Sequence, residues 1–132
     1  VVRIIAAMEP DIILLQETGD NSGNGTGSGV DSVNTLTNVM SLMIGGGTDI
    51  YNGGVPVESY IQNFEPHLDY FIFVSSSTDG FNRNVILSRF PFSDLNQDQS
   101  NQDTYSNIIV FSDLYAPGGN GGIRGYQFAE ID

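Results

Sequence analysis

The chain of 132 residues has no cysteine, no tryptophan and no lysine, so its only fixed cations are four arginines set against sixteen acidic residues. Without cysteine there are no disulfides, no thiol nucleophile and no thiolate zinc site. A formal net charge of −12 repels a polyanion, which disfavours long nucleic acid as a partner for this surface alone and favours small phosphoesters. No window approaches the roughly 18 apolar residues that cross a bilayer. The first residues also lack the basic region and cleavage pattern of a signal peptide, so a soluble chain is expected. An acidic composition rich in Gly, Asn, Ser and Thr fits a protein secreted by a bacterium or displayed on its surface, a compositional expectation only.

What is present reads as one α/β domain. Val1, Ile4, Ile5 and Met8 recur at helical spacing ahead of Pro10, which predicts a helix with one buried face. Residues 11–16 follow as a strand. Residues 19–29 hold five glycines among Asn, Ser, Thr and Asp and read as a loop. Val33, Leu36, Met40, Met43 and Ile44 then mark a second helix, capped by Asp31 or Ser32 and ended by Gly45-Gly46-Gly47. Aromatic and β-branched runs at residues 70–74, 84–88, 108–111 and 126–131 predict strands, with a polar loop over 93–106 and a glycine-rich hairpin reversal over 117–122.

Pro10-Asp11-Ile12-Ile13-Leu14-Leu15-Gln16-Glu17 is the most informative segment. Four aliphatic residues in succession predict an interior strand, buried on both faces and flanked by neighbours on both sides. Glu17 stands where that strand runs out. Open α/β sheets bind their ligands at strand carboxyl ends, so its carboxylate is placed to hold a metal or a phosphate group. The plainer alternative is a solvated carboxylate closing a strand.

This segment, Asn84-Val85-Ile86-Leu87-Ser88-Arg89-Phe90-Pro91-Phe92 and Arg124-Gly125-Tyr126-Gln127-Phe128-Ala129-Glu130-Ile131-Asp132, in that order, resemble the endonuclease/exonuclease/phosphatase superfamily, the deoxyribonuclease I-like proteins. The resemblance implies a four-layer α/β/β/α sandwich with a mixed sheet and flanking helices. It also implies hydrolysis of a phosphodiester or phosphomonoester by metal-activated water, with Mg²⁺ or Mn²⁺ as cofactor and a small molecule or nucleic acid as substrate. Glu17 matches the family's metal-binding glutamate. Asn84 matches a small polar position near the phosphate, where its amide can donate to a phosphoryl oxygen; turn chemistry before a strand is the alternative. Arg124 matches an arginine that faces the phosphate, against the alternative of an ordinary ion pair. A helix or an exposed edge position for residues 11–16 is expected to overturn the resemblance.

The family's first strand, with its metal-site asparagine, has no counterpart here, nor have its later Gly-Asp-x-Asn and Ser-Asp-His motifs. Residues 1–132 are therefore expected to form a single incomplete domain that lacks the first strand and the C-terminal half. Such a domain should be inactive alone and should cover its exposed face by self-association or with the missing half. Arg83 is a weaker phosphate candidate, Arg89 is expected to be structural, and His67, the single histidine, is expected to be a loop residue without a catalytic role.

Residues 20–31 give a second reading of another class. Oxygen side chains stand at loop positions 1, 3, 5, 7, 9 and 12 with glycine at 6, the rhythm of a Ca²⁺ loop. Gly27 at position 8 and Asp31 at position 12 depart from that pattern, and a plain Gly/Asn/Ser loop is the alternative. Asn24-Gly25-Thr26 also spells a glycosylation sequon. The rival function is thus a non-catalytic, acidic, calcium-binding extracellular interaction or structural protein.

Overall fold

The computed structural model describes residues 1–19, 31–76, 82–93 and 129–131. Helix α1, Val2–Met8, buries Ile5 and Ala6 and stops at Glu9, whose left-handed backbone lets its N–H donate to the Ile5 carbonyl. Pro10 cannot continue a helix, and strand β1, Ile12–Thr18, begins two residues later. Helix α2, Val33–Gly45, starts at Ser32, whose hydroxyl accepts from the Thr35 N–H at 3.0 Å. It ends at Gly46, where φ is +72° and an added Cβ would lie 2.6 Å from the Ser59 nitrogen. Only glycine fits that turn.

Strands β2, Gly47–Asp49, and β3, Val55–Val57, form a separate antiparallel hairpin that the sequence reading missed. Its reversal is built by Asp49, whose carboxylate accepts from the Tyr51 and Asn52 N–H groups, and by Gly53 and Gly54 at positive φ. Among the described residues, strands β4, Phe71–Val74, and β5, Arg83–Ser88, form with β1 a three-stranded sheet in the order β1-β5-β4. Both pairings among the described residues of this sheet are antiparallel.

Register divides this sheet into two faces. Ile13, Leu87 and Ile72 lie in one row and Leu15, Val85 and Val74 in the next. This face packs on Leu36, Met40 and Ile44 of α2, Ile5 of α1, and the fully buried Ile61 and Leu68. The opposite face carries Phe73 and Ile86 under Phe92, with Ala129 and Ile131 against them. The Phe73 and Phe92 rings meet edge to face, centroids 5.9 Å apart, and Ile131 bridges to Phe92. Two opposed apolar faces are what a layered domain needs.

The expectation for β1 is corrected in two respects. Among the described residues it pairs with β5 alone and is an edge strand. Its aliphatic run is not buried throughout: Ile13 and Leu15 are half-buried, while Ile12 and Leu14 are 48% and 70% exposed. Ile12 and Leu14 belong to the Phe73–Ile86 face, which the described residues cover only in part. An unbroken apolar run therefore signals two apolar faces, and it does not count the neighbouring strands. The expected strand at 108–111, the loops at 19–29 and 93–106 beyond Gly19 and Ser93, the reversal at 117–122 and Arg124 lie outside the described residues, as does the strand at 126–131 apart from 129–131.

Candidate functional site

The two ends of the sheet differ. At the end where β1 begins, ordinary polar ties close the structure. Arg89 donates to the Asp11 carboxylate at 3.2 Å, and its N–H donates to the Asp11 carbonyl. The Tyr70 hydroxyl donates to the Pro10 carbonyl at 2.9 Å, and burial raises its pKa. His67 sits at this end, with Nδ1 2.7 Å from Glu65 Oε1 and Nε2 3.5 Å from Glu9 Oε2. Its side chain is 60% exposed. The structural role expected for Arg89 and the loop position expected for His67 are both found.

The opposite rim, where β1 ends and β5 begins, is built around Arg83. Its Nε donates to the Asp31 carbonyl at 2.8 Å, and Nη1 donates to the carbonyls of Ser75 and Ser76 at 3.1 and 2.6 Å. One guanidinium thus joins the chain entering α2, the end of β4 and the start of β5. Burial lowers the Arg83 pKa, and the charge of Asp31, itself buried, opposes that shift. Gly19 brings the end of β1 against the same carboxylate: an added Cβ would lie 3.1 Å from Asp31 Oδ2. Sequence reasoning ranked Arg83 as a weak phosphate candidate. Its clamping role was hidden because the three acceptors come from distant segments.

Glu17 and Asn84 meet at this rim by register. Leu15 faces Val85 and Thr18 faces Arg83, so Gln16 and Glu17 together stand opposite Asn84. The extra residue is a β-bulge, which locally redirects a strand. Glu17 has φ +55°, a left-handed conformation that costs a non-glycine residue about 1–2 kcal/mol. Asn84 alternates with Val85 and so lies on the Ile86 and Phe73 face. Its Oδ1 is buried without a hydrogen-bond partner, and such an orphan costs about 1–3 kcal/mol. Two locally unfavourable features face each other across one strand pair. Backbone and polar-group costs of this kind cluster at functional sites.

The chemistry of this pair fits a hard divalent cation, since a carboxylate and an amide oxygen are both hard oxygen donors. Among the described residues no group of three His, Cys, Asp or Glu side chains could hold a metal ion. Beside the rim, a groove of about 650 Å³ runs between α2 and the β2–β3 hairpin, bounded by Thr18, Gly19 and Asp31 and walled mainly by Met40, Met43 and Tyr60. Its apolar walls and the Asp31 carboxylate make it a poor seat for phosphate. Asp31 is the one residue of the calcium-type stretch that lies among the described residues. Among the described residues no helix is long and apolar enough to cross a membrane.

No curated protein and no solved structure matches the chain significantly. A family model does. The Endonuclease/Exonuclease/phosphatase family model matches residues 1–125, nearly the whole sequence, and an edge position for β1 therefore does not count against the resemblance. With this match spanning the bulged strand end and the Arg83 clamp alike, the chain belongs to the endonuclease/exonuclease/phosphatase family.

Proposed function

We propose that the chain is part of a divalent-cation-dependent phosphoesterase in which Glu17 holds the ion at the β1 bulge. The observation that carries this reading is the left-handed Glu17 opposite Asn84, whose buried Oδ1 has no partner, at the strand end where the family places its metal-binding glutamate. A bound Mg²⁺ or Mn²⁺ supplies Lewis acidity toward a phosphoryl oxygen and activates water. Around it, the residues of this chain orient and neutralise. Glu17 gives the ion a fixed carboxylate, Asn84 lines the phosphate side, and Arg83 keeps the rim rigid by tying β4, β5 and the α2 entry together. Arg124 is proposed as the cation that meets the phosphate in bidentate fashion.

The two-faced sheet supports a further proposal, that residues 1–132 contribute one sheet and the helix layer of a four-layer sandwich. The exposed Ile12, Leu14 and Phe71 side chains belong to the face on which a second sheet would pack. On this reading the general base and the leaving-group acid come from sequence beyond these residues. The test is hydrolysis of bis-nitrophenyl phosphate with Mg²⁺ or Mn²⁺. The 132-residue chain should be inactive. A longer chain that restores the C-terminal half should turn over, and Glu17→Gln should abolish that turnover. A longer chain that is folded yet inactive with either metal would refute the phosphoesterase reading.

A further inference from the structure

We infer that Arg83 is a positioning residue for the proposed cation site: by fixing the rim on which β1 rejoins β5, it holds Glu17 in its left-handed conformation and so sets the affinity for the ion. This deepens the Glu17 reading and rests on it. The inference starts from the register. Leu15 pairs with Val85 and Thr18 with Arg83, so Gln16 and Glu17 are fitted together opposite one residue of β5. Arg83 is therefore the outer anchor of the bulge. Glu17, at φ +55°, takes up the extra length between the two anchors. A disfavoured backbone of this kind persists only where its surroundings over-determine it.

The surroundings do so from two sides. On β5, the Arg83 guanidinium donates to the Asp31 carbonyl at 2.8 Å and to the Ser75 and Ser76 carbonyls at 3.1 and 2.6 Å. The Ser75 N–H in turn donates to the Asn84 carbonyl at 2.9 Å. Bonds from an ionised donor are the strong ones, and a planar fork that meets acceptors from two segments has little freedom left. On β1, Gly19 follows the bulge at φ +107°, so close to Asp31 that an added Cβ would stand 3.1 Å from Oδ2. Asp31, itself buried, is the shared part: its carbonyl accepts from Arg83 and its carboxylate borders Gly19. Thr18, between the bulge and Gly19, is thus fixed by its pairing with Arg83 and by the fit of the next residue against Asp31.

The test uses the whole chain as wild type, Arg83→Met, Arg83→Lys, Glu17→Gln and Arg89→Met, each checked for folding by circular dichroism. Two quantities are read: the strong Overhauser effect between the Glu17 amide proton and its own Hα that a positive φ produces, measured without metal, and Mn²⁺ affinity by electron paramagnetic resonance. Wild type should show the effect; its absence overturns the inference before any variant is made. Arg83→Met should lose it and bind Mn²⁺ about tenfold more weakly, the usual loss when a residue supporting a metal ligand is removed. The direction is diagnostic, because losing a positive charge beside a cation site would by electrostatics alone tighten binding. A merely structural role would lower the melting temperature and leave both quantities of the folded protein unchanged, which overturns the inference. Arg83→Lys keeps the charge without the fork and should also bind more weakly, so it decides the matter if Arg83→Met fails to fold. Wild-type binding by Arg83→Lys, or failure of both variants to fold, overturns the inference. Arg89→Met, at the other end of the sheet, should match wild type, and a loss there would overturn it too. If the Arg83 variants bind Mn²⁺ like wild type while Glu17→Gln does not bind, the inference falls and the Glu17 reading stands. Equal Mn²⁺ binding by wild type and Glu17→Gln overturns both.

Discussion

Replacing Asn84 by valine should make the cation-free protein more stable. The side chain lies near the start of β5, the central strand of the described three-stranded sheet, on the face that carries Phe73 and Ile86, and its Oδ1 is buried without a partner. Removing an unsatisfied buried acceptor recovers about 1–3 kcal/mol. Valine also suits a strand through its branched side chain. Allowing for imperfect repacking around a different shape, a net gain of about 1–2 kcal/mol is expected. For a domain of this size each kcal/mol raises Tm by about 3–4 °C, so the melting temperature should rise by about 3–8 °C. The assay is thermal unfolding by circular dichroism with and without Mg²⁺. Wild type should gain stability from the ion by mass action. A variant that melts below wild type without Mg²⁺ would show that the amide oxygen is already satisfied, and the reasoning about an unmet acceptor would fail.

Two further outcomes follow from the core and from the closed end of the sheet. Leu87 is fully buried between α2 and its neighbours in β1 and β4, so Leu87→Ala should lower stability by about 2–5 kcal/mol in urea unfolding; a loss below about 1 kcal/mol would mean that this face is not the main core. The Tyr70 pKa is raised above 10.0 by burial first, with Arg89 opposing and Asp11 and Glu9 adding. A raised pKa means that the stability linked to the neutral phenol is complete below pH 10.0 and is lost as pH climbs through the folded value. Tyr70→Phe should therefore be about 1 kcal/mol less stable at neutral pH, having lost the bond to Pro10, yet should lack that alkaline decline; urea midpoints measured from about pH 8 to about pH 11 decide it, and an unchanged decline would place the cause elsewhere.

Much of the fold was legible because periodicity and caps act locally. The Leu36, Met40 and Ile44 spacing, with Ser32 before and Gly46 after, marks α2 closely, and Pro10 separates α1 from β1. Strands β4 and β5 announce themselves by β-branched and aromatic residues. What stayed hidden depends on pairing. The Gln16–Glu17 bulge exists only relative to β5, and no local pattern reveals that Glu17 adopts a left-handed backbone. The β2–β3 hairpin uses strands of three residues each, too short for alternation to register, although Asn52-Gly53-Gly54 was a turn signal. For the site, Glu17 and Asn84 could be named from sequence, whereas their opposition across one strand pair required the register.

The most direct test of the central claim, that a cation sits at the β1 bulge, is a Mn²⁺ titration of ¹⁵N-labelled protein read by paramagnetic broadening of backbone amides. Substoichiometric Mn²⁺ should broaden Glu17, Thr18, Arg83 and Asn84 first and leave His67, Tyr70 and Arg89, at the other end of the sheet, sharp. The Glu17→Gln spectrum should show no selective broadening. Broadening centred on the Glu9, Glu65 and His67 group, or spread evenly over the acidic surface, would place the ion elsewhere and contradict the account.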